Sequence, residues 1–275
     1  MSTVKENLAR SVALVDSDSP RLDAEVLLGH VLGRSRTWLF TWPEYQLNDA
    51  EQAQYDRLLA RRAAGEPVAH LTGMREFWSL PLKVDASTLI PRPDTELLVE
   101  LALQLCPQQA LCALDLGTGT GAIALALASE RPDWEILAAD KSADAAALAE
   151  ENRSALGLDN VRVIQSDWFA QIPPQAFQLI VSNPPYIDAA DPHLEQGDVR
   201  FEPRSALVAE EAGLADIERI ARGSRKYLAS GGWLLVEHGW QQAEAVRRIF
   251  AAAGLKRVAS HRDLSGWERV TLGRK

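Results

Sequence analysis

Two stretches of this 275-residue chain bring together residue types that chemistry can use. One is Asp115-Leu116-Gly117-Thr118-Gly119-Thr120-Gly121, which ends an apolar run and opens an apolar helix. Glycines at such a place let the backbone turn tightly and approach a ligand without Cβ clashes. They fall at alternate positions, so the run is neither G-x-G-x-x-G nor a P-loop, which needs Gly-Lys-Ser/Thr. Taken alone it reads equally well as a tight strand-to-helix turn. The other stretch is Asn183-Pro184-Pro185-Tyr186, directly after the apolar run Phe177–Ser182. Two prolines cannot continue a central strand, so the chain must stop and turn. Proline supplies no donor, which leaves a stiff turn rich in acceptors. Asn183 and the Pro184 carbonyl can aim at one spot, and Tyr186 can offer a ring face. The plain alternative is a strand cap with a satisfied asparagine.

Two acidic positions bear on the glycine loop. Asp140 ends the next apolar run. In a doubly wound sheet a carboxylate there can accept both hydroxyls of a ribose; by itself it reads as a helix cap. Asp167-Trp168 follows the run after that. A carboxylate can accept from the exocyclic amine of adenine while an indole packs on its face. Trp168 alone reads as core. Three run-ends at one edge favour adenosine as the joint reading. The expected cofactor set is Gly117, Thr118, Gly119, Thr120, Gly121, Asp140, Asp167 and Trp168, with Asn183 beside it. Pro184, Pro185 and Tyr186 join Asn183 as the expected substrate site.

The elements that must position these residues follow from periodicity. Apolar runs end at Leu116, Ala139, Ile164, Val181 and Val236, with helical segments mostly between them. That is the βαβ pattern of a parallel sheet covered on both faces. A closing hairpin is expected around Leu264-Ser265-Gly266. The first 65 or so residues read as helices. Val4, Leu8, Val12 and Val15 recur at helical spacing. Ser19-Pro20 is a cap followed by proline at the first helical position. Asn48 with Glu51 resembles a capping box, and Tyr55, Leu58 and Leu59 share one side of the helix it starts. The expected organisation is a helical domain over 1–75, a hairpin linker over 76–90 and an α/β domain over 91–275.

Composition bounds the function. Apolar residues are 47%, charged residues 24%, and the net charge is −9. Binding to duplex nucleic acid rests on phosphate contacts from basic residues, so direct nucleic-acid binding is not expected. No run approaches the ~20 apolar residues of a membrane helix, and no signal peptide is visible at the start. Two cysteines, Cys106 and Cys112, suit a reducing compartment, hence a cytoplasmic expectation. The histidines at 30, 70, 193, 238 and 261 show no ligand spacing and read as structural or surface residues. Trp38, Phe40 and Trp42 read as core or as a docking surface.

Asp-Leu-Gly-x-Gly-x-Gly with an acidic residue after the second strand resembles the seven-stranded, Rossmann-like S-adenosylmethionine-dependent methyltransferases. Asn183-Pro184-Pro185-Tyr186 is similar to the motif of those that methylate a planar nitrogen: adenine N6, cytosine N4 or a glutamine amide. Leu89-Ile90-Pro91-Arg92-Pro93-Asp94-Thr95-Glu96, Phe201-Glu202-Pro203-Arg204 and Glu237-His238-Gly239 narrow the resemblance to the HemK-type release-factor glutamine N5-methyltransferases. With the helical domain, it covers nearly the whole chain. Two departures are mild: Val208-Ala209-Glu210-Glu211 lacks an expected glycine, and His238 stands where isoleucine is common. The resemblance implies S-adenosyl-L-methionine as cofactor and S-adenosyl-L-homocysteine as product. It implies class 1 peptide chain release factors as partners, methylated at the glutamine of their Gly-Gly-Gln loop, with an effect on translation termination.

An amide nitrogen is a poor nucleophile because its lone pair is delocalised into the carbonyl. Two acceptors, Asn183 Oδ1 and Pro184 C=O, can hold both N–H bonds, localise the lone pair and stabilise developing positive charge. Asn183 and Pro184 are therefore the expected catalytic pair. No metal is required, and no strong base. Arg92 can touch substrate, cofactor carboxylate or only Glu96. Competing readings are an adenine methyltransferase, which needs a flipped base and a phosphate-binding surface, a ribosomal-protein glutamine methyltransferase, and a non-catalytic nucleoside-binding module.

Overall fold

The structure is a computed structural model that describes residues 2–106, 110–195 and 197–275. The chain forms two compact units. One is Met1–Met74 with Pro192–Phe201, the other Arg75–Asp191 with Glu202–Lys275.

The first unit is helical and packs around Leu8, Leu27, Leu28, Leu39, Leu47 and Tyr55. The capping box forms: Asn48 Oδ1 accepts from Glu51 N–H at 2.9 Å, and Glu51 reaches back to Asn48 N–H at 2.8 Å. Two expectations fail. The first helix is only Val4–Ala9, and a 3₁₀ turn over Arg10–Ala13 breaks the period. Val12 and Val15 are consequently 81% and 82% exposed. Pro20 does open its helix, but Ser19 makes no side-chain cap; its hydroxyl donates to Asp23 instead. Asp23 is claimed by Arg62, which also reaches Asp198 at 3.1 Å, and Arg200 donates to Ala64 C=O. These bonds make 192–201 part of this unit although it lies far away in sequence.

In the second unit a hairpin comes first. Strand β1 is Met74–Phe77 and β2 is Leu80–Lys83, turning at Trp78 and Ser79. Seven further strands form one sheet: β3 Cys112–Leu116, β4 Glu135–Asp140, β5 Val161–Gln165, β6 Phe177–Ser182, β7 Leu228–Glu237, β8 Lys256–Arg262 and β9 Glu268–Arg274. Their order is β5-β4-β3-β6-β7-β9-β8. Five are parallel, and β9 runs antiparallel to both β7 and β8. The strands are almost continuously apolar because helices cover both faces. One face buries Ala122 to Ala128, the apolar part of the helix Ala122–Glu130; the other buries Ile217, Ile220, Val246 and Phe250. The chain leaves β3 for β4 on one side and later adds β6 on the other. That reversal opens a crevice at the carboxyl ends of β3 and β6, where ligands of such sheets sit.

No helix among the described residues is long and apolar enough to cross a membrane.

Candidate active site

A cavity of about 580 Å³ lies at these strand ends, within the size range of small-molecule sites. Its floor is the glycine loop: Gly117, Thr118, Gly119 and Thr120 all line it. Gly121 does not. It caps the helix Ala122–Glu130 at φ +85, and a Cβ there would meet Leu125 at 2.9 Å. The loop is braced from below. Asp115 Oδ2 accepts from Thr118 Oγ1 at 2.6 Å, and Asn152 donates to Thr120 C=O and to Lys83 C=O of β2.

Asp140 ends β4 on the cavity wall. Its Oδ2 accepts the Gly119 N–H and its Oδ1 the Ser142 N–H, both at 2.9 Å. A carboxylate offers about four lone-pair sites, so two remain for a ligand. Burial raises its pKa, while the backbone donors pull the other way.

Trp168 also lines the cavity, with its ring 3.5 Å from where a Cβ on Gly117 would stand. Asp167 does not line it, contrary to expectation. Trp168 adopts φ +49, and that left-handed turn separates the two neighbours. Asp167 Oδ2 goes to Arg219 at 3.1 Å. The carboxylate beside the indole inside the cavity is Asp216, whose Oδ1 accepts from Trp168 Nε1 at 3.1 Å. Asp216 and Arg219 sit on the helix Ala215–Tyr227, a long way down the chain. Their positions in sequence look like an ordinary solvated helix face, so no local signal could have found them. Ser87, Thr88 and Thr95, from the segment before the first β/α unit, also line the cavity; none is among the expected site residues, although Thr95 falls within the motif over 89–96.

The Asn-Pro-Pro-Tyr turn is only partly at the wall. Asn183 and Pro185 line the cavity; Pro184 and Tyr186 do not. Pro184 is buried. The Tyr186 hydroxyl is drawn to buried Glu237 Oε1 at 3.4 Å. Burial pushes the Tyr186 phenol well up. Asn183 is anchored by its amide: Nδ2 donates to Thr95 Oγ1 at 3.2 Å, and Oδ1 takes no hydrogen bond among the described residues. Arg92 lines the cavity, and its partner is Glu202 Oε2 at 2.8 Å rather than Glu96, which accepts from Trp78 N–H.

The segment lacking the expected glycine does bend where glycine would serve. Glu211 and Ala212 both sit at φ +55, a conformation that costs a side-chain-bearing residue roughly 1–2 kcal/mol. The next residue must be glycine, since a Cβ on Gly213 would lie 2.0 Å from the Tyr186 carbonyl oxygen. His238 is buried, with Nε2 2.8 Å from Thr271 Oγ1, and burial lowers its pKa. It is a structural histidine; the side chain of His193 lies outside the described residues.

Burial lifts two carboxyls, Asp115 and Glu237, to about 7. Unfolded carboxyls titrate near 4. Between these values the folded chain binds more protons than the unfolded one, so stability falls as pH rises from about 4 to about 7. Thermal unfolding should give a higher Tm near pH 5 than near pH 8, and Asp115→Asn should shrink that difference. A Tm rising across this window would contradict the assignment.

The sequence matches the family model described as the PrmC N-terminal domain over residues 9–73, and that of the methyltransferase small domain over 93–198. A methyltransferase structure from Pyrococcus furiosus superposes with a TM-score of 0.56 over 80% of this chain and 98% of that one; at 15% identity this shows the fold. The release factor glutamine methyltransferase of Escherichia coli is 61% identical over 258 residues, 94% of this chain and 93% of its own. That of Pseudomonas aeruginosa is 52% identical over 266 residues, 97% and 96% of the two chains. A match at this identity across both units, on a seven-stranded sheet with its glycine loop and Asn-Pro-Pro-Tyr turn at one edge, places the chain in the release factor glutamine methyltransferase family.

Proposed function

We propose that this chain transfers a methyl group from S-adenosyl-L-methionine to the side-chain N5 of the glutamine in the Gly-Gly-Gln loop of class 1 release factors. One observation carries the assignment of the nitrogen site. Asn183 is tethered through Nδ2, leaving Oδ1 unpaired on the wall of the cavity whose floor is the glycine loop.

The residues present suit the cofactor. A Cβ on Gly119 would point into open space, its nearest neighbour being Thr88 Cβ at 3.9 Å, so the missing side chain is what keeps the cradle empty. Asp140 would hold the ribose, Trp168 the adenine face, and Gly117 to Thr120 the backbone cradle. In place of Asp167, Asp216 is the carboxylate positioned for the adenine edge. When bound, the cofactor supplies an electrophilic methyl on a sulfonium. The chain's own part is to hold the amide. Asn183 Oδ1 accepts one N–H, and the Pro184 carbonyl next in the turn is the proposed second acceptor. Both favour a pyramidal nitrogen and stabilise positive charge as it forms. Fixing the amide in line with the methyl contributes the positioning term.

Labelled methyl from S-adenosylmethionine should appear on intact class 1 release factor and not on the same factor with its Gly-Gly-Gln glutamine changed to alanine. Label on duplex DNA or on a ribosomal protein instead would overturn the substrate assignment.

The helical unit is proposed to recognise the factor. Trp38 is partly buried against the core, edge-on to Tyr45, whereas Phe40 and Trp42 are 55% and 56% exposed. Exposed aromatics are the residue types that anchor protein interfaces. Phe40→Ser with Trp42→Ser should raise KM for intact factor about tenfold or more and leave kcat and Tm near wild type. An unchanged KM would remove these two from the docking surface.

A further inference from the structure

Three large apolar side chains of the α/β unit stand out in water at one place. Trp240 and Trp267 are 47% and 49% exposed, and Leu264 is fully exposed. Scattered exposed apolar residues are ordinary, but contiguous ones are where partners bind. The topology gathers these three. Trp240 follows β7, Trp267 precedes β9, and the two strands run antiparallel with Glu237 opposite Val270. Continued past that pair, the register sets Trp240 across from Trp267, and their ring centroids lie 4.6 Å apart. Leu264 belongs to the turn between β8 and β9. Asp263 fixes that turn: its backbone carbonyl accepts from Gly266 N–H at 3.0 Å and its Oδ1 from Trp267 N–H at 2.9 Å. Because β6 and β7 are parallel, the end of β7 that leads to Trp240 lies at the sheet edge that carries the cavity.

The patch is tied to the cavity rim from two sides. Gln242, two residues past Trp240, donates to the Tyr186 carbonyl at 3.0 Å, within the Asn-Pro-Pro-Tyr turn. Arg269, two residues past Trp267, reaches Asp94 at 3.8 Å, two residues past the cavity-lining Arg92. Only β7 separates β6 from β9. With neighbouring strands about 4.8 Å apart, β9 lies on the order of 10 Å from the strand that leads into Asn183. A glutamine that enters this cavity as part of a folded protein brings the surface beside its loop over this edge. We propose, building on the methyl-transfer reading above, that Trp240, Leu264 and Trp267 are a docking surface for the release factor itself, which lays an apolar patch next to its Gly-Gly-Gln loop against them. The two rings already meet and the turn that carries Leu264 is already fixed, so little ordering is lost on contact. None of the three lines the cavity, so they act on how the factor is held and not on the transfer step.

Trp240→Ser combined with Trp267→Ser should raise KM for intact release factor about tenfold or more. Its kcat at saturating factor, and its cofactor affinity by calorimetry, should stay within about twofold of wild type. Leu264 is out in water, so Leu264→Glu leaves the packing alone and should by itself raise KM about three- to tenfold. A cross-strand pair that served only the fold would lower Tm by about 2–4 °C and leave KM where it was; that result overturns the proposal. So does a fall in kcat at unchanged KM, which would place the tryptophans in the chemistry. If the double variant fails to fold, Leu264→Glu decides: a KM within about twofold of wild type overturns the proposal. Sedimentation of the full chain, alone and with phosphatidylglycerol vesicles, tests the other occupants. A wild-type dimer, or vesicle binding, that Leu264→Glu abolishes while KM for the factor is unchanged would give the patch to a second copy or to a lipid surface, and overturn it. If wild type methylates the factor and every variant keeps the wild-type KM, only the docking surface falls. If wild type leaves the Gly-Gly-Gln glutamine unmethylated, the reading on which it rests falls with it.

Discussion

Replacing Asn183 with alanine is expected to lower kcat by about 10²–10³, the cost of removing one preorganised group that meets developing charge. KM should change little, because the missing hydrogen bond matters most as the nitrogen becomes positive. The Pro-Pro turn that shapes the pocket stays, and the cofactor residues lie on other strands, so cofactor affinity should hold. Asn183→Asp is the sharper comparison. It keeps an acceptor facing the cavity. It also loses the NH₂ that donates to Thr95 at 3.2 Å. The aspartate variant is expected to keep more rate than alanine, by no more than about tenfold, the share that a misdirected acceptor leaves of a 10²–10³ effect. Steady-state kinetics on intact factor, with cofactor binding measured by calorimetry, reads both. If alanine keeps near-normal kcat, Asn183 is a strand cap and the nitrogen site lies elsewhere.

The sheet was legible because its strands are buried on both faces and so stand out as apolar runs. All five parallel strands end within a residue or two of the apolar ends read from sequence, and the terminal hairpin closes around Gly266. The glycine loop and the Asn-Pro-Pro-Tyr turn were legible because each has a local cause: backbone approach in one, a forced stop in the other. What escaped depends on distant parts of the chain. Asp216 reaches the cavity because its helix packs beside Trp168, and Asp167 is turned out by a left-handed residue that is a tryptophan rather than a glycine. Pro192–Phe201 belongs to the helical unit through Arg62 and Arg200, charged residues that look solvated in sequence. Val12 and Val15 fit a helical period that the backbone abandons at Arg10. Periodicity reports which face a residue would occupy if the element continued, and cannot report where the element ends.

The cofactor loop gives the other large effect. Gly119→Val is expected to abolish detectable S-adenosylmethionine binding while leaving the fold intact. Gly119 sits at φ +56, where a β-branched residue is an outlier. Its N–H is held by Asp140 Oδ2, so the loop cannot relieve the strain by rotating without breaking that bond. The added carbons would project into the cavity, since only Thr88 approaches a Cβ there, at an ordinary 3.9 Å. Strain of roughly 1–2 kcal/mol is tolerable for the fold; filled ligand space is not tolerable for binding. Gly119→Ala adds one carbon at the same dihedral and should weaken binding without abolishing it. Asp140→Ala should cost about 1.5–3 kcal/mol of affinity, the range for a hydrogen bond to a charged group. It removes the brace on Gly119 and Ser142 together with the proposed ribose contact, so the upper half of that range is expected. Calorimetry on the three variants, each checked for a wild-type-like thermal transition, tests the set. Wild-type affinity in Gly119→Val would mean that the ligand does not occupy the space above this loop. Wild-type affinity in Asp140→Ala would reduce that carboxylate to a backbone brace.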